Sequence, residues 1–211
     1  VKPAALVVVG ATLVTGVAHA AADDFTRVPA LEPNVAFWKH VYIDWSLNQI
    51  ALHDDEDLAL VYRVFPVPPR GEKSKAGQSR SDVVHQKQAE LEKALASLAK
   101  KKPKSGDGLT GVEREVYDNL KGVSRADKYS RVAHIRAQNG LRERFLLGWS
   151  NSGLYEQYIK AELREHGLPE DLIGVAFVES LFYVGARSKV GAAGIWQFMS
   201  YTGKEYMQLN N

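Results

Sequence analysis

The chain has 211 residues, of which 45% are hydrophobic and 25% are charged. This composition is ordinary for a globular protein and leaves room for one or two domains. Its 27 basic and 25 acidic residues leave a net charge of +2, which argues against a nucleic-acid or membrane-surface binder. The sequence contains no cysteine, which excludes disulfide bonds and lipid-modified cysteines among these residues.

The first twenty residues differ in composition from the rest of the chain. Lys2 is followed by an apolar run over residues 4–17 and then by Ala18-His19-Ala20. A short basic start, an apolar middle and small residues before the cut are the parts of a cleavable secretory signal peptide. A retained membrane anchor is the alternative interpretation. The sequence therefore predicts a signal peptide over residues 1–20 and a location in the periplasm or cell envelope.

Residues 21–69 form an N-terminal region of unknown role, and its clearest local signal is a β-like run over residues 60–65. The polar segment 70–81 is typical of a linker. Residues 83–100 follow, in which Leu91, Leu95 and Leu98 recur at helical spacing, and they predict a solvated amphipathic helix. We expect residues 70–109 to comprise this linker and helix.

From residue 110 onward the pattern predicts a run of short helices with almost no strand. The expected helical stretches are residues 110–120, residues 125–147 with a break near Asn139-Gly140, residues 152–166 and a further helix that begins at Pro169. Thr110 and Glu113 have the spacing of a capping box. We therefore expect a mainly α-helical fold, with residues 110–211 as its C-terminal domain.

The sequence gives no indication of a metal or cofactor. The acidic stretch 53–57 lacks the alternating spacing and the glycine of a calcium loop, so we interpret it as a solvated turn. The six histidines do not have metal-ligand spacing. P-loop, dinucleotide-binding and Gly-x-Ser-x-Gly motifs are also missing from the sequence.

A single carboxylate, Glu179, stands within the apolar stretch GVAFVESLFYVG at residues 174–185. On a helix, positions three, four and seven residues from Glu179 are apolar, which predicts an apolar face around it. Such surroundings raise the pKa of an unpaired carboxyl group, and a carboxylic acid that stays protonated near neutral pH can act as a general acid. The alternative is a structural glutamate that pairs with Arg187 or accepts from backbone amides.

The following segment, residues 186–199, combines small residues with Trp196, Gln197, Phe198 and Met199. Aromatic faces beside amide groups suit the apolar and polar faces of a sugar. The alternative is a helix contact lined by glycine and alanine, with Trp196 in the core.

Glu179-Ser180, Gly191-Ala-x-Gly194 and Trp196-Gln197-Phe198 resemble the signature of soluble-type lytic transglycosylases, most closely the membrane-bound lytic murein transglycosylase D group. The resemblance covers residues 125–211. It implies a lysozyme-like fold without metal or cofactor, with peptidoglycan glycan strands as the partner. The implied reaction cleaves the β-1,4 bond between MurNAc and GlcNAc and leaves 1,6-anhydroMurNAc.

The same resemblance implies individual roles. Glu179 would protonate the glycosidic oxygen and then, as carboxylate, remove the proton from the muramyl C6 hydroxyl, while the substrate's acetamido group steadies the cation. The sugar site would be formed by Ser188, Gly194, Gln197, Phe198 and Met199.

The chain also departs from the family pattern. Tyr183-Val184 stand where the family has Asn-Pro, and Ser200 stands where it often has Pro. The family's later Ala-Tyr-Asn motif is not among these residues, so we expect only the N-terminal half of a lysozyme-like domain here. Two other functions stay open: a lysozyme-type hydrolase that uses a further carboxylate such as Glu205, and a non-catalytic peptidoglycan-binding protein.

Overall fold

A computed structural model describes residues 28–206, so the predicted signal peptide lies outside the described residues. Helices are the main elements, and the predicted mainly α-helical class is confirmed. The helices are α1 (Glu32–Lys39), α2 (Arg80–Lys101), α3 (Gly111–Leu120), α4 (Arg142–Ser152), α5 (Glu156–Glu165), α6 (Gly174–Ser180) and α7 (Ser200–Tyr206). The strands are β1 (Gln49–Asp54), β2 (Val61–Pro66) and β3 (Ile135–Asn139). Within residues 28–206, every helix is too short or too polar to cross a bilayer.

The three strands form one antiparallel sheet in the order β2-β1-β3. Strand β2 confirms the β-like run predicted for residues 60–65. The helix predicted for residues 125–147 is wrong over β3, which pairs with β1 from Ile50↔Asn139 to Asp54↔Ile135. This pairing over the whole strand outweighs a local helical pattern, because tertiary context overrides weak propensity.

The main core lies between this sheet and helices α2 and α3. Leu91, Leu95 and Leu98 of α2 are fully buried, so the helix that was predicted to be solvated provides a central stripe of the core. The other fully or largely buried members of this cluster are Ile50, Leu52, Leu60, Tyr62, Phe65, Val67, Leu109, Val116, Leu120 and Ile135. The predicted boundary at residue 110 falls between α2 and α3, which pack against each other in this core.

Helix α2 begins with a capping box inside the stretch that was predicted to be a linker. The Ser79 hydroxyl accepts from the Asp82 amide at 3.2 Å, and the Asp82 carboxylate accepts from the Ser79 amide at 2.9 Å. The capping box predicted at Thr110 is wrong, because Thr110 makes no side-chain cap bond. Glu113 instead binds the Lys101 ammonium at 2.6 Å, which joins the end of α2 to α3.

The acidic stretch 53–57 is not simply a solvated turn, since the Asp54 side chain is completely buried. Arg131 holds it with two hydrogen bonds, from Nε at 2.7 Å and from Nη2 at 2.9 Å. The amides of Glu56 and Asp57 also donate to Asp54. Burial acts to raise the pKa of Asp54, but these bonds outweigh it and hold the pKa below its ordinary value. Asp54 therefore remains an ionised, paired carboxylate inside the fold.

Residues 32–139, here called the sheet module, connect to residues 142–206, here called the motif region, through a tight junction. The Leu141 amide donates to Val41 O at 2.7 Å, and the Leu47 amide donates to the Glu143 carboxylate at 2.8 Å. A row of aromatic rings then crosses the junction, with Tyr42 and Phe145 centroids 5.7 Å apart and those of Phe145 and Phe177 5.3 Å apart. This row fixes α6 relative to the sheet module.

Candidate functional site

Glu179 lies in the last turn of α6, a helix of seven residues. The side chain is exposed, and among the described residues it makes no ion pair or hydrogen bond, so the suggested pairing with Arg187 is not formed. The apolar positions around Glu179 do not bury it, because Val175 and Tyr183 are 43% and 61% exposed. Only Ala176 of this short helix is buried. Glu179 is therefore presented on an open surface.

The neighbouring Ser180 connects this helix end to the loop 181–199. Its hydroxyl donates to the Ile195 carbonyl at 2.8 Å, a contact that the sequence analysis did not assign. Its position directly after Glu179 in the shared signature was the available signal. This bond sets the backbone of Glu179 against the glycine-rich part of the loop.

The chain turns sharply after Ser180, because Leu181 and Phe182 both have positive φ, at 51° and 55°. Non-glycine residues rarely adopt this conformation, and the surrounding contacts must hold it. The Phe182 ring is 1% exposed and meets Phe177 edge-on at 4.6 Å. On the other side Gly148 of α4 lies so close that an added Cβ would come within 2.7 Å of Leu181 O. A buried anchor and a close helix contact thus fix the turn beside Glu179.

Two of the predicted sugar-site residues, Ser188 and Gln197, brace the loop itself. The Ser188 hydroxyl accepts from the Ala192 amide at 2.9 Å. The Gln197 amide nitrogen donates to Gly194 O at 2.8 Å and to Ala186 O at 3.3 Å. These bonds and the short bridges around Ala193 give the loop a fixed backbone.

Three of the predicted residues, Gly194, Phe198 and Met199, line one cavity of about 510 Å³. Its wall also includes Val184, Arg187, Gly191, Ala193, Ile195, Trp196, Ser200 and Gly203. Trp196 is half-buried and lines the cavity, so its ring is not part of the main core. The described lining of this cavity does not include Glu179, Ser188 or Gln197. An apolar and aromatic wall with one cation, Arg187, suits a sugar ring that carries an acidic substituent.

One group of side chains has the composition of a metal site. Ligand-type atoms of Asp54, Asp55 and His134 lie within 4.8 Å of one another. Each carboxylate already faces a cation, since Arg131 binds Asp54 and Arg136 binds Asp55 at 2.7 Å. The ring nitrogen of His134 lies 3.0 Å from Asp55. Ion pairing accounts for this group without a metal.

Comparison with known proteins gives one match. Residues 156–211 match the family model described as the transglycosylase SLT domain, and this range contains Glu179 and the loop that lines the cavity. No curated protein and no solved structure matches the chain. The match covers the segment in which the sequence signature was found and supports a lytic transglycosylase family for it.

Proposed function

We propose that the chain is a lytic transglycosylase that cleaves the MurNAc–GlcNAc β-1,4 bond of peptidoglycan and forms 1,6-anhydroMurNAc. One observation carries this proposal. Glu179 lies in the last turn of α6, and the adjacent Ser180 is hydrogen-bonded to Ile195, which lines the sugar-sized cavity. The transglycosylase SLT domain match over residues 156–211 supports the same assignment.

In the proposed reaction the protonated Glu179 carboxyl donates its proton to the glycosidic oxygen. The bond from C1 of MurNAc to that oxygen breaks, and its electron pair leaves with the GlcNAc hydroxyl. The Glu179 carboxylate then takes the proton from the C6 hydroxyl of MurNAc, whose oxygen attacks C1. The carboxyl group is protonated again, so one residue completes the cycle without consuming water.

The cavity residues have a positioning role in this proposal. Phe198 and Trp196 offer aromatic faces to the sugar rings, and Gly194, with φ of 78°, lets the backbone approach the substrate closely. Ser188 and Gln197 act through the loop, because their side chains bind its backbone. We propose a periplasmic or cell-envelope location on the basis of the signal-peptide pattern in residues 1–20.

The test is release of muropeptides from purified sacculi by the Glu179→Gln variant. Loss of a general acid lowers the rate by at least about 100-fold, so release falls to background. Glu165→Gln is the matched control, because Glu165 is also exposed and ends the neighbouring helix α5. Full activity of Glu179→Gln would remove Glu179 from the mechanism.

A second function is a peptidoglycan-binding protein without catalysis. It is favoured by the exposure of Glu179 and by its position outside the cavity lining. Sedimentation with sacculi separates the two functions. A chain that co-sediments with sacculi and releases no fragments is a binding protein, whereas release that depends on Glu179 identifies the enzyme.

A further inference from the structure

A second pair of cavities lies in the sheet module, between the loop after β2, the start of α2 and strand β3. The larger has a volume of about 630 Å³ and the smaller about 360 Å³. They share three lining residues, Arg70, Arg80 and Asn139, and therefore adjoin. None of these residues belongs to the segment that matches the transglycosylase domain.

Positive charge predominates around these cavities. Arg70, Lys73 and Arg80 line the larger one, and Arg144 joins Arg70 and Arg80 around the smaller one. Glu72 is the single carboxylate in either lining. Four cations against one anion leave a local charge of +3 with His85 neutral, which exceeds the +2 of the whole chain.

Arg80 is fixed in place by neutral acceptors. Its guanidinium donates to Leu47 O at 2.7 Å, to Pro68 O at 3.1 Å and to the Asn139 side-chain oxygen. These partners orient the group but leave its charge uncompensated. Burial lowers the pKa of Arg80, and repulsion from the nearby charge of Arg70 lowers it further. An anion placed between them would relieve this repulsion.

Three of these cations lack a close bonding partner among the described residues. In residues 28–206, Arg70, Lys73 and Arg144 make no ion pair and no side-chain hydrogen bond. The start of α2 is not itself the binding element, because Ser79 and Asp82 already cap it. The guanidinium groups are therefore the groups available to a ligand, and their planar geometry matches the oxygens of a carboxylate.

Part of the wall of the larger cavity is aliphatic. Ile50 of β1, Val84 of α2 and Ala137 of β3 line the larger cavity. Its volume is large enough for a small organic molecule. A ligand that fits both surfaces carries carboxylates at one end and an aliphatic body at the other.

We propose that these adjoining cavities bind an organic carboxylate. Its oxygens are held by Arg70 and Arg80, with Arg144 on the far side, and its aliphatic part lies along Ile50, Val84 and Ala137. This inference does not depend on the transglycosylase activity, since its residues and its test are separate from those of Glu179.

The test is calorimetric titration of the full chain with glutarate, an aliphatic dicarboxylate, and with glutaramide, its uncharged counterpart. Glutarate should bind and glutaramide should not, and glutarate affinity should fall as salt is added. The Arg70→Gln/Arg144→Gln double variant should lose at least about tenfold in affinity, because each charged hydrogen bond contributes more than about 1.4 kcal/mol. Neither arginine has a hydrogen-bond or ion-pair partner among residues 28–206, so the thermal midpoint should not change.

Lys100→Gln is the matched control, because it removes one exposed charge at the opposite end of α2 and should bind glutarate as the wild type does. Displacement of glutarate by soluble muropeptides would identify wall peptides as the source of the carboxylate. Binding of glutarate without such displacement would identify a free small carboxylate. The proposal would be overturned if the chain bound inorganic phosphate as tightly as glutarate. It would also be overturned if the double variant and the Lys100→Gln control bound glutarate with equal affinity.

Discussion

The sheet module and the motif region place their apolar side chains in opposite ways. In the sheet module Leu52, Leu91 and Leu95 are fully buried. In the motif region Leu147, Trp149 and Val178 are 64%, 63% and 69% exposed. Its buried residues are mostly small, namely Gly148, Ser152, Ala176, Ala192 and Gly203, with Phe182 as the large exception.

This difference indicates that the two regions are stabilised by different forces. Burial of apolar surface contributes about 1.5–3 kcal/mol per large side chain, and the sheet module gains most of it. The motif region depends more on backbone geometry, on the Ser180, Ser188 and Gln197 hydrogen bonds and on the aromatic row. Regions that bind ligands are commonly drawn from the less stable part of a fold. The comparison therefore predicts that truncation of an apolar side chain has a large effect on stability in the sheet module and a small effect in the motif region.

The largest expected effect is at the buried ion pair of the sheet module. Arg131→Met leaves Asp54 buried and unpaired, which should lower the free energy of unfolding by about 3–5 kcal/mol at neutral pH. Chemical denaturation measures the change. Arg136→Met is the control, because its ion pair with Asp55 is at the surface and should contribute less than about 1 kcal/mol. Equal losses in the two variants would contradict the assignment.

The ion pair between Asp54 and Arg131 also predicts that acid lowers the stability of the wild-type protein. The folded pKa of Asp54 lies below its unfolded value, so the stabilisation is complete above about pH 4 and is lost as pH falls through the folded pKa. In Arg131→Met the Asp54 carboxyl is buried without a cation, which favours its protonated form. Acid should therefore reduce the difference in the free energy of unfolding between the variant and the wild type. If the difference in the free energy of unfolding stayed constant from pH 7 to pH 3, protonation of Asp54 would not be linked to its pairing with Arg131.

The next largest effect is expected when a leucine is truncated to alanine in the sheet module rather than in the motif region. Leu95→Ala in α2 opens a cavity in a fully buried site and should lower the free energy of unfolding by about 2–5 kcal/mol. Leu147→Ala in α4 removes the same atoms from an exposed position and should change it by less than about 0.5 kcal/mol. A large loss from Leu147→Ala would show that the motif region has a covered core like that of the sheet module.

Addition of a single methyl group at Gly148 tests whether the turn at Leu181 and Phe182 positions Glu179. Gly148→Ala adds one methyl group within 2.7 Å of Leu181 O, where backbone must shift to make room. We expect a loss of about 1–3 kcal/mol and reduced muropeptide release. Gly174→Ala is the control, because its added Cβ meets nothing within 4 Å. Unchanged activity in Gly148→Ala would mean that this turn does not position Glu179.

Much of the fold was predictable because its signals are local. The Leu91-Leu95-Leu98 spacing predicted α2, and the run of β-branched and aromatic residues predicted β2. Strand β3 was missed because its conformation is imposed by pairing with β1, which is some 80 residues away in sequence. The burial of Asp54 was missed for the same reason, since its partner Arg131 is 77 positions away.

Three of the six residues predicted for the candidate site line one cavity, whereas the surroundings of Glu179 were not predicted. The signature indicated Glu179 and the loop up to Met199, and the structure brings Gly194, Phe198 and Met199 to one cavity. Helical periodicity predicted an apolar face for Glu179, but periodicity cannot show whether another element covers that face. Ser188 and Gln197 have polar side chains that suit a sugar, yet here they bond to the loop backbone.

We propose that Glu179 cleaves peptidoglycan without consuming water. The most direct test is to digest sacculi with the chain in water enriched in heavy oxygen and to analyse the released muropeptides by mass spectrometry. We predict products that are lighter by one water and carry no label, released by the wild type and by Glu165→Gln but not by Glu179→Gln. Reducing-end products that carry the heavy oxygen would contradict this mechanism and identify a lysozyme-type hydrolase.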